Sequence, residues 1–286
     1  MSTYSFKADK DTINRILSSF PASAVSAGSN YIAQQIRFDQ CVITVYTSGS
    51  VVFSGLNADK YYQMFFPQKH DLVLPQAGSD EVGTGDFFGP VCVCASYVDQ
   101  NIYSKISDMN LTDSKKLTDI YIRSIGERLI QEVPHSLLIL DNVRYNKVVS
   151  QNNLNAIKAK MHNQAYLNLQ KKGITLPELT VIDDFCGETL YYRYLRDQER
   201  VVKGITFHTK AESQFISVAI GSIISRYAFL KYMDEMSEKY QMVFPKGAGK
   251  PVDEFLDEFL QSYSKDELIK VAKLNFKNYR NLDNEK

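Results

Sequence analysis

The sequence is poor in the residues and runs that mark several classes of protein. Its 286 residues include no tryptophan and only four cysteines. The cysteines are too few and too scattered for a disulfide framework, and without a C-x-x-C pair they do not indicate a zinc site. No apolar run approaches the roughly 20 residues that cross a bilayer, and the first residues lack the apolar core of a signal peptide. We therefore expect a soluble, cytoplasmic protein with no membrane partner.

Net charge is also missing, because 33 basic residues are balanced by 33 acidic ones. A neutral chain has no overall field that attracts a polyanion. Charge is nevertheless segregated: residues 142–177 carry six Lys or Arg and no Asp or Glu, which leaves −6 on the remainder. Such a run is more often the solvated face of a helix than a surface that follows nucleic-acid phosphates. The choice between these two interpretations depends on motifs elsewhere in the sequence.

What is present is an ordinary globular composition, 44% hydrophobic and 23% charged, long enough for one or two domains. Residues 1–66 predict a small α+β domain, with strands at 3–6, 31–38, 41–47 and 51–54, and helices at 11–20, with Asp11 as N-cap, and at 58–66. Residues 23–30 predict a loop. Residues 67–76 contain two prolines and no periodicity, so we expect a linker there.

Residues 77–286 have the pattern of an α/β domain. Nearly continuous apolar runs predict buried strands at 91–97, 136–140 and 180–182. Helical spacing predicts helices at 118–132, 153–170, 211–240 and 253–263. Strands that alternate with helices are typical of a sheet covered on both faces.

Asp80 and Glu81 form an acidic pair that is followed by Gly83, Thr84 and Gly85. Adjacent carboxylates and glycines make a poor strand interior, because neighbouring side chains point to opposite faces and glycine weakens pairing. We therefore expect a strand end that breaks into a loop, whose glycines let the backbone approach a ligand closely. On spacing alone, a metal site and an acidic turn explain this pair equally well.

Two further acidic positions lie at the ends of predicted elements. Asp183 and Asp184 follow an apolar strand, and ligands of α/β sheets gather at the carboxyl ends of strands. Glu212 opens the long predicted helix, where its spacing from Thr209 also fits a capping box. A capping role alone would explain Glu212, so its place in a metal site depends on the other carboxylates.

Four motifs, taken together and in this order, resemble those of the type 2 ribonucleases H, and within that group ribonuclease HIII. They are Asp-Glu-Val-Gly-Thr-Gly-Asp at 80–86, Asp-Ser-Lys-Lys-Leu at 113–117, Ile-Asp-Asp-Phe at 182–185, and Lys-Ala-Glu-Ser at 210–213 followed by Ser-Ile-Ile-Ser-Arg at 222–226. Threonine rather than arginine at 84, and glutamate rather than aspartate at 212, favour HIII over HII. The family usually has a non-acidic residue after the third aspartate, so Asp183 is a better candidate than Asp184.

The resemblance implies a ribonuclease H-like catalytic domain at 77–286, with a mixed sheet and flanking helices, after a small TATA-binding-protein-like α+β domain at 1–66. It implies a monomeric endonuclease that hydrolyses the RNA strand of RNA/DNA hybrids and leaves 5′-phosphate and 3′-hydroxyl ends. The implied catalytic residues, which also hold Mg²⁺ or Mn²⁺, are Asp80, Glu81, Asp183 and Glu212. The implied substrate contacts are Gly83, Thr84, Gly85, Ser114 and Lys115.

Two other functions remain open. One is an HII-like enzyme that acts mainly on single embedded ribonucleotides, and the other is a non-catalytic hybrid-binding protein. The first differs in the length of RNA that it needs, and the second would bind hybrid without a divalent metal. His208 near Glu212 is a candidate proton shuttle, although a lone histidine at a helix start is more often structural.

Overall fold

The computed structural model describes residues 2–66, 72–109, 111 and 114–284. The first of its two sheets lies in the N-terminal region. The strands of this sheet are β1 (Ser2–Lys7), β2 (Val25–Ala27), β3 (Ile32–Phe38), β4 (Cys41–Tyr46) and β5 (Ser50–Gly55). They pair antiparallel in the order β1-β5-β4-β3-β2. Helices α1 (Lys10–Ser18) and α2 (Ala58–Phe65) supply Ile16 and Met64 to a core with Phe53. The small α+β domain predicted at the N-terminus therefore has this sheet as its framework.

Two local predictions in this region were wrong. The N-cap of α1 is Asp9, whose carboxylate accepts the Thr12 N–H at 2.8 Å, and not Asp11, which lies inside the helix. Strand β2 lies within the stretch predicted to be a loop. It is a short edge strand of half-buried and exposed residues, so its pairing with β3 leaves no alternating apolar pattern in the sequence.

The second sheet is mixed, as expected. Its strands are β6 (Gln76–Val82), β7 (Val91–Val98), β8 (His135–Leu140), β9 (Thr180–Asp183) and β10 (Thr206–His208). The order is β10-β9-β6-β7-β8, with β6 antiparallel to β7 and parallel to β9. The predicted strand end that breaks into a loop is confirmed, because Asp80 and Glu81 are among the last paired residues of β6, which ends at Val82 directly before the glycines.

Nine helices in the described part of the chain surround this sheet or extend beyond it. They are α3 (Gln100–Ile106), α4 (Asp119–Glu132), α5 (Asn142–Val149), α6 (Leu154–Lys171), α7 (Glu188–Tyr194), α8 (Ile216–Tyr240), α9 (Lys250–Ser262), α10 (Lys265–Val271) and α11 (Lys277–Asn284). Helix α8 packs on one face of β6 and β7, and α6 covers the other. Gly221 permits the close approach of α8, since a Cβ there would lie 2.7 Å from the Cys94 carbonyl oxygen.

The long helix begins later than predicted. Residues Ala211–Ser213 form a separate 3₁₀ turn, and α8 starts only at Ile216. The turn is preceded by Lys210 in a left-handed backbone conformation with φ of 56°. Because of this break, Glu212 lies in the 3₁₀ turn and not in α8.

The two sheets share a continuous hydrophobic core. Buried residues of the N-terminal region such as Phe20 belong to the same cluster as Ile122 of α4 and Ile223 of α8. The Thr118 hydroxyl also donates to the Ser19 carbonyl at 2.8 Å. Half of the predicted linker at 67–76, residues 67–71, lies outside the described residues, and its last residue, Gln76, already belongs to β6. Every described helix is too short or too polar to span a bilayer.

Candidate active site

Asp80 lies on the face of the central sheet that is covered by α8. Gly78, two residues earlier on β6, points the same way, because a Cβ there would lie 2.5 Å from the Ser217 Oγ atom of α8. The Asp80 residue is 4% exposed. Its Oδ1 atom accepts the N–H of Glu81 at 2.7 Å, and the Ser222 hydroxyl of α8 acts to lower its pKa. Asp80 is thus a buried carboxyl group between the centre of the sheet and the long helix.

Asp183 reaches the same face from the neighbouring strand. The parallel register pairs Ser79 with Ile182, so Asp183, the last residue of β9, lies one step further and beside Asp80. Its Oδ1 atom accepts the Ala211 N–H at 2.9 Å. This bond ties Asp183 to the turn that carries Glu212.

Glu212 is 4% exposed, and its Oε1 atom lies 3.4 Å from Nζ of Lys115. The capping interpretation of this residue was wrong, because the described residues provide no side-chain cap for the 3₁₀ turn. Its carboxylate instead faces Lys115 of the Asp-Ser-Lys-Lys-Leu motif. Asp80, Asp183 and Glu212 are therefore grouped near the carboxyl end of β9.

Two oxygen atoms in this group, Asp80 Oδ2 and Glu212 Oε2, are buried and have no hydrogen-bond partner among the described residues. Burial raises the pKa of Asp80, and the charges of Glu81 and Asp183 raise it further. Unpartnered buried carboxylate oxygens cost free energy, and they are the ligands that a hard divalent cation prefers. This part of the site fits Mg²⁺ or Mn²⁺.

Glu81 lies on the opposite face of the sheet and is fully engaged by α6. Nζ of Lys158 lies 2.7 Å from Oε1, and Nε2 of His162 lies 2.9 Å from Oε2. Burial alone would raise the pKa of Glu81, but the contacts with His162 and Lys158 outweigh burial and lower it. Glu81 is an ionised carboxylate with two protein partners.

The predicted metal set is therefore divided between two faces. Within the described ranges, no three Asp, Glu, His or Cys side chains are already gathered so that they could hold a metal ion. Asp80 and Glu212 fit a cation through their unpartnered oxygens, whereas both oxygens of Glu81 are occupied. The four-residue metal set remains a prediction.

The glycine loop, residues 83–89 after β6, makes close backbone contacts and accepts hydrogen bonds from a buried lysine. Gly83 has a φ of +94°, and a Cβ there would lie 2.1 Å from the Pro90 carbonyl oxygen, so a glycine is required. Lys273, which is completely buried, donates to the carbonyls of Asp86 at 2.8 Å and Gly89 at 2.5 Å. Gly85 is exposed, and no described residue approaches its Cβ position within 4 Å. The loop presents an open stretch of backbone beside half-buried Thr84.

Ser114 and Lys115 lie next to the carboxylates. Ser114 is 2% exposed, and its hydroxyl lies 2.7 Å from that of Ser222, the residue that acts to lower the pKa of Asp80. Lys115 is exposed and carries its ammonium to Glu212. Arg226 of α8 donates to the Ser114 carbonyl and, at 3.0 Å, to that of Leu117. Asp113 of the same motif lies outside the described residues.

Two neighbouring candidates have local structural contacts. Oδ1 of Asp184 accepts the N–H groups of Cys186 at 3.1 Å and Gly187 at 2.6 Å, which fixes the turn before α7. Nδ1 of His208 lies 3.0 Å from the Thr209 carbonyl oxygen. These contacts account for both side chains without a part in metal binding.

The basic stretch at 142–177 is not one continuous exposed surface. Lys158 is buried with Glu81, Lys160 pairs with Asp197 at 2.7 Å, and Lys172 donates to the His135 carbonyl at 2.7 Å. Sequence reasoning missed the part that Lys158 and His162 play at Glu81. Their spacing of four residues places them on one face of a helix, which was the available signal.

A mixed sheet with helices on both faces and buried carboxylates at the carboxyl end of its central strands defines a ribonuclease H-like enzyme. The family model for ribonuclease HII matches residues 77–279, and a model described as a domain of unknown function, DUF3378, matches residues 4–72. The chain belongs to the ribonuclease HII family of ribonuclease H hydrolases.

The relatives that it resembles are ribonucleases HIII, as the motifs predicted. The enzyme of that name from Staphylococcus epidermidis (strain ATCC 12228) is 39% identical over 85% of this chain and 84% of its own. The one from Streptococcus mutans serotype c is 35% identical over 97% of this chain and 96% of its own. A crystal structure of Bst-RNase HIII in complex with Mn²⁺ is 32% identical, covers 98% of this chain and 97% of its own, and has a TM-score of 0.70.

Proposed function

We propose that this protein is an endonuclease that hydrolyses the RNA strand of RNA/DNA hybrids by divalent-metal catalysis and leaves 5′-phosphate and 3′-hydroxyl ends. The observation that carries the proposal is the pair of buried, unpartnered oxygens on Asp80 and Glu212 beside Asp183, among the described residues. Ribonuclease HIII relatives at 35% identity or more support the same activity.

Asp80, Asp183 and Glu212 would hold Mg²⁺ or Mn²⁺ on the α8 face, and Glu81 would complete the set after a change of partners. When bound, such ions neutralise charge at the scissile phosphate and activate water. The protein's own contribution is to fix these carboxylates: the Ala211 N–H orients Asp183, and the Glu81 N–H, which donates to Oδ1 at 2.7 Å, orients Asp80. Water is excluded from Asp80 and Glu212 by burial, which strengthens their electrostatic interactions.

The substrate contacts would come from the glycine loop and the following motif. The open backbone at Gly85, with Gly83 and Thr84, would contact a ribose 2′-hydroxyl, the group that distinguishes RNA from DNA. Lys115 is exposed beside Glu212 and supplies a positive charge for a phosphate. Because the Ser114 hydroxyl is buried against Ser222, this residue would act through its backbone or through Ser222.

The N-terminal domain would add affinity for the hybrid. The face of its sheet opposite α1 and α2 is polar, with Gln35 donating to Thr44 at 3.1 Å and Arg37 exposed on the same strand as Gln35. Basic and amide side chains on a sheet suit contacts to a nucleic-acid backbone. Arg37→Ala should therefore raise the KM for hybrid and leave kcat almost unchanged.

A cleavage assay on three duplexes tests the proposal. RNA/DNA, RNA/RNA and DNA/DNA substrates of one sequence are incubated with the protein, with Mn²⁺ or with a chelator. We expect cleavage of the hybrid only, and only with metal, and end-labelling should identify 5′-phosphate products. Hybrid binding without metal-dependent cleavage would instead establish the non-catalytic alternative.

A second comparison separates this function from that of an HII-like enzyme. A duplex with four consecutive ribonucleotides should be cut faster than one with a single embedded ribonucleotide, since Thr84 replaces the arginine of the HII motif. The reverse preference would favour the HII-like activity.

We propose a monomer in the cytoplasm, and sedimentation of the full chain would test its oligomeric state.

A further inference from the structure

Lys158 forms a buried ion pair with Glu81. The two side chains are only 10% and 12% exposed, and Nζ of Lys158 lies 2.7 Å from Oε1. The ammonium also lies 3.9 Å from the centre of the Phe185 ring, so an aromatic face covers part of it. A pair with so little contact with water interacts strongly, because screening by solvent is weak.

His162 holds the other oxygen of Glu81 and is itself anchored to the sheet. Nδ1 of His162 lies 2.8 Å from the Ser79 hydroxyl, which donates to the Tyr166 hydroxyl at 2.9 Å. Tyr166 in turn donates to the Val181 carbonyl at 2.5 Å. The imidazole therefore links Glu81 to β6 and β9, and its position is fixed by rigid elements. Lys158 instead reaches Glu81 through a flexible four-carbon side chain, and the contacts of its ammonium are with Glu81 and the Phe185 ring rather than with the strands.

We propose that Lys158 is a resident counter-ion of Glu81 that competes with the divalent metal for this carboxylate and so sets the metal affinity of the site. The proposal rests on the proposed metal site. A metal that takes Glu81 as a ligand must share or displace the ammonium on Oε1. The positive charge of Lys158 also opposes the arrival of a second cation, with an energy that is large at low exposure.

This competition makes Lys158 a positioning residue that acts through Glu81. Without metal, it compensates a buried negative charge that would otherwise destabilise the fold. With metal, the cation would share or replace the ammonium on Oε1 of Glu81, while His162 would keep its contact with Oε2. The protein would thereby avoid the free-energy cost of leaving Glu81 uncompensated before metal binds.

The test is calorimetric titration of Mn²⁺ into the full-length protein without nucleic acid. Lys158→Met removes the ammonium and retains an unbranched side chain over Phe185. Lys160→Met is the matched control, because it makes the same change of charge on the same helix, at a residue that pairs with Asp197. We expect Lys158→Met to bind Mn²⁺ about tenfold more tightly, which corresponds to ~1.4 kcal/mol. Lys160→Met should bind like the wild type.

Two further variants keep the test decisive if Lys158→Met does not fold. Lys158→Gln is neutral and can still hydrogen-bond to Glu81, so it should also bind Mn²⁺ more tightly. Lys158→Arg retains the charge and should restore affinity close to that of the wild type. A second readout is the rise in melting temperature on adding Mn²⁺, which should be larger in the neutral variants than in the wild type.

The possible failures are distinguishable. Unchanged or weaker Mn²⁺ binding in the neutral Lys158 variants would overturn the competition while leaving the metal site intact. Equal tightening in Lys158→Met and Lys160→Met would reveal a general charge effect and would also overturn it. If the wild type bound no Mn²⁺, or Asp80→Asn bound it equally well, the proposed metal site itself would fail.

Discussion

Asp80 and Glu81 are adjacent on β6, yet their side chains lie on opposite faces of the sheet and have different surroundings. Asp80 faces α8, and its Oδ2 atom has no hydrogen-bond partner in the described part of the chain. Glu81 faces α6, where Lys158 and His162 occupy both of its oxygens. The pKa of Asp80 is raised by burial and neighbouring anions, and that of Glu81 is lowered by its partners.

The difference shows how one strand can carry two buried carboxylates without cationic partners for both. The protein compensates Glu81 with its own side chains and leaves an oxygen of Asp80 available to an external cation. The two arrangements have different consequences. Compensation of Glu81 stabilises the metal-free fold, whereas the unpartnered oxygen of Asp80 costs stability without metal and provides affinity for metal. The comparison predicts that substitutions on the α8 face affect chemistry most directly.

The largest expected effect separates two adjacent aspartates. Asp183→Asn should lower kcat/KM for hybrid cleavage by about 10²–10³-fold, the loss typical of removing one preorganised electrostatic group. Asp184→Asn should stay near the wild-type rate, because Asp184 accepts hydrogen bonds from the turn at Cys186 and Gly187. Steady-state kinetics on a labelled hybrid would measure both. Equal losses in the two variants would contradict the assignment.

A second prediction concerns stability with metal. Mn²⁺ at about 100 times its dissociation constant should stabilise the wild type by about 2.7 kcal/mol, because it binds the folded state. Asp80→Asn should show a smaller rise in melting temperature, since one ligand and part of the anionic repulsion are gone. Differential scanning calorimetry with and without Mn²⁺ makes the comparison. The same rise in both proteins would mean that metal binds elsewhere.

The smallest predicted effect tests a buried lysine that, unlike Lys158, donates to backbone carbonyls. Lys273→Met should lower the free energy of unfolding by about 2 kcal/mol, because it leaves the carbonyls of Asp86 and Gly89 unpartnered. Burial lowers the pKa of Lys273 from 10.5 to about 7.

The pH dependence of this effect has a definite sign. Between pH 7 and pH 10.5 the unfolded chain holds a proton on Lys273 that the folded protein lacks. The wild type should therefore gain stability relative to Lys273→Met as pH rises through this range. Urea denaturation of both proteins at several pH values would measure the difference. A constant difference would contradict the lowered pKa.

Much of the fold could be predicted from periodicity, and the reasons for the exceptions are physical. The continuous apolar run of β7 revealed a strand covered on both faces. Only the end of strand β6 was predicted, because its stabilisation comes from pairing with β7 and β9, which leaves no apolar pattern in the sequence. Strand β2 was missed because a short edge strand needs few buried residues.

The residues of the candidate site could be predicted more completely than the contacts between them. The motifs identified Asp80, Asp183 and Glu212, which the structure brings to one face. The partners of Glu81 could not be predicted, because Lys158 lies 77 positions along the chain and meets Glu81 only when α6 packs on the sheet. Contacts between distant elements depend on tertiary packing and not on local spacing.

The central claim is that the carboxylates on the α8 face carry out metal-dependent cleavage of RNA/DNA hybrids, and Asp80→Asn tests it most directly. Single-turnover cleavage of a labelled hybrid should be measured with saturating Mn²⁺ for the wild type and this variant. The account predicts rapid cleavage by the wild type and a loss of about 10²–10³-fold or more in the variant, with hybrid binding retained. Cleavage by Asp80→Asn at the wild-type rate would contradict it.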